Sequence, residues 1–124
     1  MPQVEPGRLR FAHVTIDCLD ADRLVAFWRP LVGTDRDPIR EDNIVYLPWD
    51  GGAGSLCFQE ITEPRAGKNR AHLDFVVNDL TRTTQVITAG GGRVLADVTT
   101  DDGSWRVFAD PEGNEFCVAE VPTS

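Results

Sequence analysis

Two histidines, 59 residues apart, are the first side chains in this sequence that could do chemistry. His13 and His72 each begin an extended apolar stretch, and each is followed seven residues later by an aspartate, Asp20 or Asp79. Neutral imidazole is a frequent ligand of divalent transition metals, and it also accepts and donates protons near neutral pH. The matching surroundings predict that the two histidines have equivalent places in a duplicated unit.

Further residues repeat at the same offset and support a duplication. The offset of 59 relates Arg23 to Arg82, Gly33 to Gly92, Tyr46 to Trp105, Trp49 to Phe108 and Gly54 to Gly113. One match would be chance, whereas several at a single offset indicate an internal repeat. We therefore expect one domain over 1–124 that is built from two modules, about 9–62 and about 70–121, with a polar linker at 63–69.

Each module shows the signals of a strand, a helix and three further strands. Asp20 and Asp79 are good N-caps, and glycines at Gly33 and at 90–92 end the helical spacing. Strands are expected at 10–18, 35–39, 43–49, 55–61, 70–77, 93–98, 104–109 and 115–121. The sequence predicts an α+β fold of two βαβββ modules, in which one main helix per module covers one face of a mostly antiparallel sheet.

The alternation of side chains along these strands gathers polar groups on the sheet face opposite the helices. That face should carry His13, Thr15, Asp17, Cys57, Gln59, His72, Asp74, Val76, Glu115, Cys117 and Ala119. One interpretation is a solvated face, which antiparallel sheets often have. The other is a pocket lining, with Trp49, Trp105, Tyr46 and Phe108 as apolar walls. The aromatic residues also fit an ordinary core, so both interpretations stay open.

Composition narrows the classes of function. The chain has 12 basic and 20 acidic residues, a net charge of −8 and 41% hydrophobic residues. We expect a globular protein that binds neither nucleic acid nor an anionic membrane, because both need clustered basic residues. We see no targeting segment or membrane span. Cys18, Cys57 and Cys117 are an odd set without CxxC spacing, which favours a reducing, cytoplasmic setting.

The order of the motifs resembles the vicinal oxygen chelate superfamily, which contains glyoxalases, bleomycin-resistance proteins and extradiol dioxygenases. The resemblance covers about Leu9 to Val121. It rests on His13 with Asp20, on 24–28 followed by 31–33, on His72 with Asp79, and on 108–116. It implies paired βαβββ modules that curl around a cavity, a homodimer, and in some members a divalent metal.

The resemblance also implies a set of metal ligands. Carried over by position, they are His13, Gln59 and His72, which suit zinc, nickel, iron or manganese. The fourth position, four residues after the glycine of the Asp-Pro-x-Gly turn, has Glu in glyoxalase I-like members and Cys117 here. A thiolate can bind zinc, but the apolar neighbours of Cys117 favour a structural thiol. Glu115 or Glu120 could take its place only with a strand shift.

Three functions follow as alternatives. The first is a metal-dependent lyase, isomerase or dioxygenase on a small molecule, with Asp17 or Asp74 as candidate catalytic base. The second is a metal-free protein that binds a cationic or polyhydroxylated small molecule or drug. The third is an interaction domain with a vestigial pocket. The candidate substrate-binding residues are Thr15, Asp17, Asp74, Trp49 and Trp105.

Overall fold

The computed structural model describes residues 7, 12–49, 54–63, 67, 71–101 and 103–121. The first module contains β1 (His13–Cys18), α1 (Ala21–Val32), β2 (Ile39–Glu41), β3 (Ile44–Pro48) and β4 (Ser55–Glu60). The second contains β5 (Leu73–Val77), α2 (Leu80–Ala89), β6 (Arg93–Thr100), β7 (Gly103–Ala109) and β8 (Glu115–Glu120). Both modules have the predicted βαβββ order, with one helix each.

Each module forms its own four-stranded sheet. The strand orders are β1-β4-β3-β2 in sheet 1 and β5-β8-β7-β6 in sheet 2. The first strand of each module runs parallel to the last, while the other two pairings in each sheet are antiparallel. The sheets are therefore mixed, and they are open rather than closed. Two such modules, each with one helix and four strands, confirm the predicted α+β architecture.

The helices begin and end where the sequence signals lie. Asp20 has extended backbone angles, and its carboxylate accepts a hydrogen bond from the backbone N–H of Arg23 at 3.1 Å. Asp79 does the same for Arg82 at 3.0 Å. Gly33 ends α1 with φ of 70°, a left-handed conformation that glycine adopts at little cost. No described helix is long and apolar enough to span a membrane.

The core lies between the helices and the inner faces of both sheets. It includes Leu24, Phe27 and Trp28 of α1, Ile87 of α2, and strand residues of both modules such as Phe58 and Phe116. The ring centroids of Trp28 and Phe116 are 4.7 Å apart, so α1 of the first module packs against β8 of the second. Burial of these large rings supplies much of the force that holds the two modules together.

The second strand was predicted in the wrong place. It was expected at 35–39, but β2 spans Ile39–Glu41 and pairs with β3 from Ile39 opposite Tyr46. Pro38 immediately precedes it and has no N–H to donate to the ladder. The tight turn to β3 contains Asp42 at φ 52°.

The repeat is real, but its offset changes along the chain. Asp74 lies opposite Cys117, which in turn pairs with Val107, whereas the equivalent Thr15 lies opposite Cys57, which pairs with Tyr46. The offset is therefore 59 for the first strands, 60 for the last strands and 61 for β3 and β7. Tyr46 corresponds to Val107, so its predicted equivalence with Trp105 is wrong. The drift reflects segments of unequal length, since α1 has 12 residues and α2 has 10, whereas the hairpin of β6 and β7 is longer than that of β2 and β3.

Parts of the predicted boundaries lie outside the described residues. These are the start of the first strand at 10–11, the start of the fifth at 70, and most of the linker, at 64–66 and 68–69.

Candidate metal centre and ligand cavities

His72, Asp74 and Cys117 form a compact cluster on the outer face of sheet 2, which is the face turned away from the helices. Asp74 on β5 lies directly opposite Cys117 on β8, and His72 immediately precedes β5. Nδ1 of His72 is 3.4 Å from Oδ1 of Asp74 and 3.9 Å from Sγ of Cys117. One donor atom from each residue lies within 4.8 Å of the other two. Strand pairing thus brings together three side chains that are distant in sequence.

The arrangement around the imidazole distinguishes between two kinds of chemistry. A Cys–His–Asp relay needs the thiol and the carboxylate at opposite nitrogens of the ring, because the proton passes across it. Here both partners approach the same nitrogen, Nδ1. Three different donor atoms within 4.8 Å of one another are instead what a metal ion requires. The geometry therefore favours metal coordination over thiol catalysis.

The donor types fit a divalent metal. Imidazole nitrogen, carboxylate oxygen and thiolate sulfur are all ligands of Zn²⁺, and three protein ligands leave a fourth position for water or substrate. The His72 side chain is 52% exposed and that of Asp74 is 70% exposed, so the cluster is accessible to an ion. In the part of the chain that the structure describes, this is the only group of three such donors so close together.

The equivalent position in the first module is built differently. His13 makes an edge-on contact with the ring of Tyr46, with centroids 5.7 Å apart. Cys57, the counterpart of Cys117, has no exposed surface, and burial raises its pKa to about 11. Thr15 stands where the second module has Asp74. This side of the molecule offers an imidazole, but its thiol is inaccessible and it lacks the carboxylate.

The proposed ligand Gln59 lies two residues further along β4 than Cys57, directly opposite Asp17. Cys57 and not Gln59 is thus the counterpart of Cys117. His13 and Gln59 are both on the outer face of sheet 1, outside the His72 cluster. Their role as ligands stays a prediction.

A first cavity of about 350 Å³ lies between β1 and the start of β5 and β8. Thr15 and Asp17 of β1 line it together with His72 and Glu115, and Trp28 and Phe116 contribute apolar surface. Two further carboxylates, Glu63 and Glu112, also line the cavity. Its described lining thus contains four carboxylates, and His72 is the only basic side chain.

Sequence reasoning missed the residues that anchor this cavity. Glu112 accepts hydrogen bonds from the backbone N–H groups of Leu19 at 2.8 Å and Asp20 at 2.9 Å. The turn thereby fastens the start of α1 to the second module. No local pattern signals a contact across 92 residues, so the sequence showed only the turn chemistry of 110–113.

Asp110 stabilises the same turn from inside the protein. Its carboxylate is fully buried and accepts hydrogen bonds from the backbone N–H groups of Glu112 and Asn114, and from the Asn114 side chain. It also accepts one from Nε1 of Trp28 at 3.3 Å. A buried carboxylate with several donors is stable where an unpartnered one would not be.

The two tryptophans predicted to bind substrate are in different places. Trp49 packs on Phe75, with ring centroids 5.6 Å apart, and lines a second cavity of about 480 Å³ on the helix side of sheet 2. Trp105 is half-buried on the outer face of sheet 2, opposite Ala119 and Val98, and lines neither cavity. Asp74, Gln59 and His13 also lie outside these two cavities.

Comparisons with known proteins agree with this architecture. No curated protein matches the chain. Among solved structures, a glyoxalase/bleomycin resistance protein/dioxygenase family enzyme from Burkholderia phytofirmans is 21% identical. The match covers 91% of this chain and 99% of that one, with a TM-score of 0.74.

Two fosfomycin resistance proteins named FosX are also similar in fold. The one from Listeria monocytogenes, whose structure contains Mn(II) and 1S,2S-dihydroxypropylphosphonic acid, is 17% identical over 96% of this chain and 93% of that one, with a TM-score of 0.73. The one from Mesorhizobium loti is 15% identical over 89% of this chain and 90% of that one, with a TM-score of 0.67. At these sequence identities, the structural similarity shows that the proteins share a fold and nothing further.

The family is established by a direct match to a family model. The model of the glyoxalase-like domain matches residues 13–119, which include both modules from β1 to β8. This chain therefore belongs to the glyoxalase-like domain family, within the vicinal oxygen chelate superfamily that its motifs resemble.

Proposed function

We propose that this protein is a metal-dependent enzyme, a lyase, isomerase or dioxygenase, that acts on a small molecule with two neighbouring oxygen atoms. The observation that carries the proposal is the cluster of His72, Asp74 and Cys117 on sheet 2, with one donor atom of each within 4.8 Å of the other two. A divalent metal held there would act as a Lewis acid on the oxygens of the substrate.

The second module supplies the core of the ligand set in this proposal. His72 and Cys117 occupy positions that the family resemblance assigns to ligands, and Asp74 supplies a carboxylate in place of the glutamate that Cys117 replaces. Zinc suits this set best, because it accepts nitrogen, oxygen and thiolate sulfur, while nickel, iron and manganese are the alternatives. His13 and Gln59 on sheet 1 are the candidates for completing the coordination.

Residues of the first cavity would handle the substrate. Asp17 is the preferred proton acceptor, because Asp74 is committed to the cluster and Asp17 lines the cavity beside His72. The hydroxyl group of Thr15 lines the same cavity and can donate or accept a hydrogen bond. Trp105, on the same outer face as Cys117, would contact a substrate bound over that face.

A homodimer forms part of the proposal, because the two groups of candidate ligands lie on separate sheets. A second copy could place the outer face of one sheet 1 over that of another sheet 2. Val76 on the outer face of sheet 2 is 67% exposed, and half-buried Ala119 on β8 and Trp105 and Val107 on β7 continue the same face, so an apolar surface is available for a partner. Sedimentation velocity would detect the dimer, and Val76→Lys should weaken it.

Metal analysis tests the proposal. Protein purified without chelator should contain about one divalent ion per chain. His72→Ala should remove most of it, whereas His13→Ala, the matched change in the first module, should remove less. Each variant is checked by its circular dichroism and thermal midpoint. A sub-stoichiometric metal content that neither substitution changes would contradict the proposal.

A second candidate function is metal-free binding of a cationic small molecule. The four carboxylates of the first cavity favour it, since they would attract an ammonium group, and Trp28 and Phe116 lie in the same lining. A thermal-shift measurement separates the candidates. Stabilisation by tetramethylammonium or choline, with no response to zinc, would favour binding; the reverse would favour the enzyme.

The remaining alternative, an interaction domain with a vestigial pocket, has less support. It predicts a small and occluded cavity, whereas both cavities fall in the size range of small-molecule sites. A cytoplasmic location also remains a proposal. It is supported by three cysteines that are thiols and not disulfides.

A further inference from the structure

The second cavity lies on the opposite side of sheet 2 from the His72 cluster. It is lined by side chains of β5 and β8, among them Phe75 and Phe116, and by residues of α1 and α2. Its volume of about 480 Å³ is large enough for a small organic ligand. It plays no part in the function proposed above.

Aromatic rings dominate the surface of this cavity. Trp28, Trp49, Phe75 and Phe116 all line it, and Phe75 lies 5.9 Å from Trp28, 5.6 Å from Trp49 and 6.0 Å from Phe116 between ring centroids. Trp28 and Phe116 are almost completely buried, whereas Trp49 and Phe75 keep part of their surface exposed. The exposed surface of Trp49 and Phe75 suits a flat aromatic ligand, which can stack on these rings or meet them edge-on.

One cation lies at the edge of this apolar surface. Arg82 in the first turn of α2 is the only basic residue among the described lining, and Asp79 is the only acidic one. The Asp79 carboxylate accepts a hydrogen bond from the backbone N–H of Arg82 as the helix cap. The Arg82 guanidinium makes no hydrogen bond or ion pair with the described residues, so its donors are available to a ligand.

We infer that the second cavity binds a planar aromatic carboxylate, with its ring system against Trp49 and Phe75 and its carboxylate on Arg82. Guanidinium and carboxylate match in shape and can form two parallel hydrogen bonds. The ligand would thus combine an apolar body with a single anionic end. Trp28 and Phe116 line both cavities, but the second cavity lacks the four carboxylates of the first, which would repel the same anion.

The test uses 2-naphthoate and its neutral counterpart 2-naphthamide, titrated into the intact protein by calorimetry. Hydrogen bonds to a charged group are stronger than those between neutral groups, so 2-naphthoate should bind at least about tenfold more tightly than 2-naphthamide. Arg82→Gln should weaken 2-naphthoate about tenfold and leave 2-naphthamide unchanged. Arg23→Gln is the matched control, because Arg23 holds the equivalent place in α1 and lines neither cavity.

A second pair of variants locates the binding. Val86 lines the cavity and is 38% exposed, so Val86→Trp should fill the space and abolish binding of both compounds. Gln85→Trp adds the same ring at an exposed neighbour outside the lining and should change nothing. No saturable binding, equal affinity for the two compounds, or loss of binding with Asp17→Asn instead would each overturn the inference.

Discussion

His13 and His72 begin equivalent strands, yet they have different surroundings. His72 has a carboxylate and a thiol within 4 Å of its Nδ1, whereas His13 lies against the edge of an aromatic ring. Two exchanges in the repeat account for the difference. Thr15 takes the place of Asp74, and Tyr46 takes the place of Val107. The duplicated backbone therefore provides two similar positions, but side chains make only one of them a candidate metal centre.

The largest expected effect concerns the turn at 110–113, which fastens the start of α1 to the second module. Asp110→Ala should lower the free energy of unfolding by about 3 kcal/mol or more, because it leaves buried donors such as Trp28 Nε1 without an acceptor. Urea denaturation measures the change. Asp97→Ala is the control, since its ion pair with Arg106 is at the surface and should be worth no more than about 1 kcal/mol. Equal losses in the two variants would contradict this account of the turn.

The reactivity of the cysteines gives a second test of the difference between the two modules. Cys57 and Cys117 occupy equivalent positions, but Cys57 is fully buried and Cys117 is half-buried beside His72. Of the three thiols, only Cys117 should react readily with a thiol-alkylating reagent in the folded protein, while all three react after denaturation. Peptide mass spectrometry identifies the modified residue. Rapid labelling of Cys57 would show that the two modules are more alike than described.

A pH dependence follows from the same burial. Burial raises the pKa of Cys57 to about 11, and burial, reinforced by nearby carboxylates, raises that of Cys18 to about 12. Thiols in the unfolded chain have a pKa of about 8.5, so the unfolded chain is increasingly favoured as the pH rises above that value. The stabilising contribution is complete below pH 8.5 and is lost towards pH 11 to 12.

Urea midpoints measured between pH 8 and pH 10.5 test this dependence. The decline with pH should be shallower in Cys57→Ala than in the wild type. A decline that is equally steep in both proteins would assign the alkaline instability to other groups.

The smallest effect concerns a feature that the modules share. Asp20→Ala and Asp79→Ala each remove an N-cap with the same geometry, so each should cost about 1 kcal/mol. Thermal or urea denaturation gives both values. A clear difference between them would show that the modules diverge in their helices as well as in their outer faces.

Local signals in the sequence predicted the elements that local chemistry determines. The caps Asp20 and Asp79, the glycine at the end of α1 and the alternation in β1 and β5 are confirmed. The position of β2 was wrong, since its ladder depends on β3 and on the proline before it. A short strand has too few residues for its own pattern to fix its limits.

The candidate site was predicted in part. The sequence placed His72, Asp74 and Cys117 on one face, because alternation along a strand is simple to read. It could not show that Asp74 lies opposite Cys117, since that depends on the register between β5 and β8. Nor could a constant offset of 59 detect that Cys57 is the counterpart of Cys117, because segments of unequal length shift the later strands.

Cobalt binding tests the central claim, that the second module, through Cys117, supplies the thiolate of a metal centre. Cobalt(II) bound to a cysteine thiolate gives a charge-transfer absorption that a site without sulfur lacks. Titration of the wild type and of Cys57→Ala should produce this absorption, and Cys117→Ala should abolish it. Persistence of the absorption in Cys117→Ala, or its loss in a folded Cys57→Ala, would contradict the account.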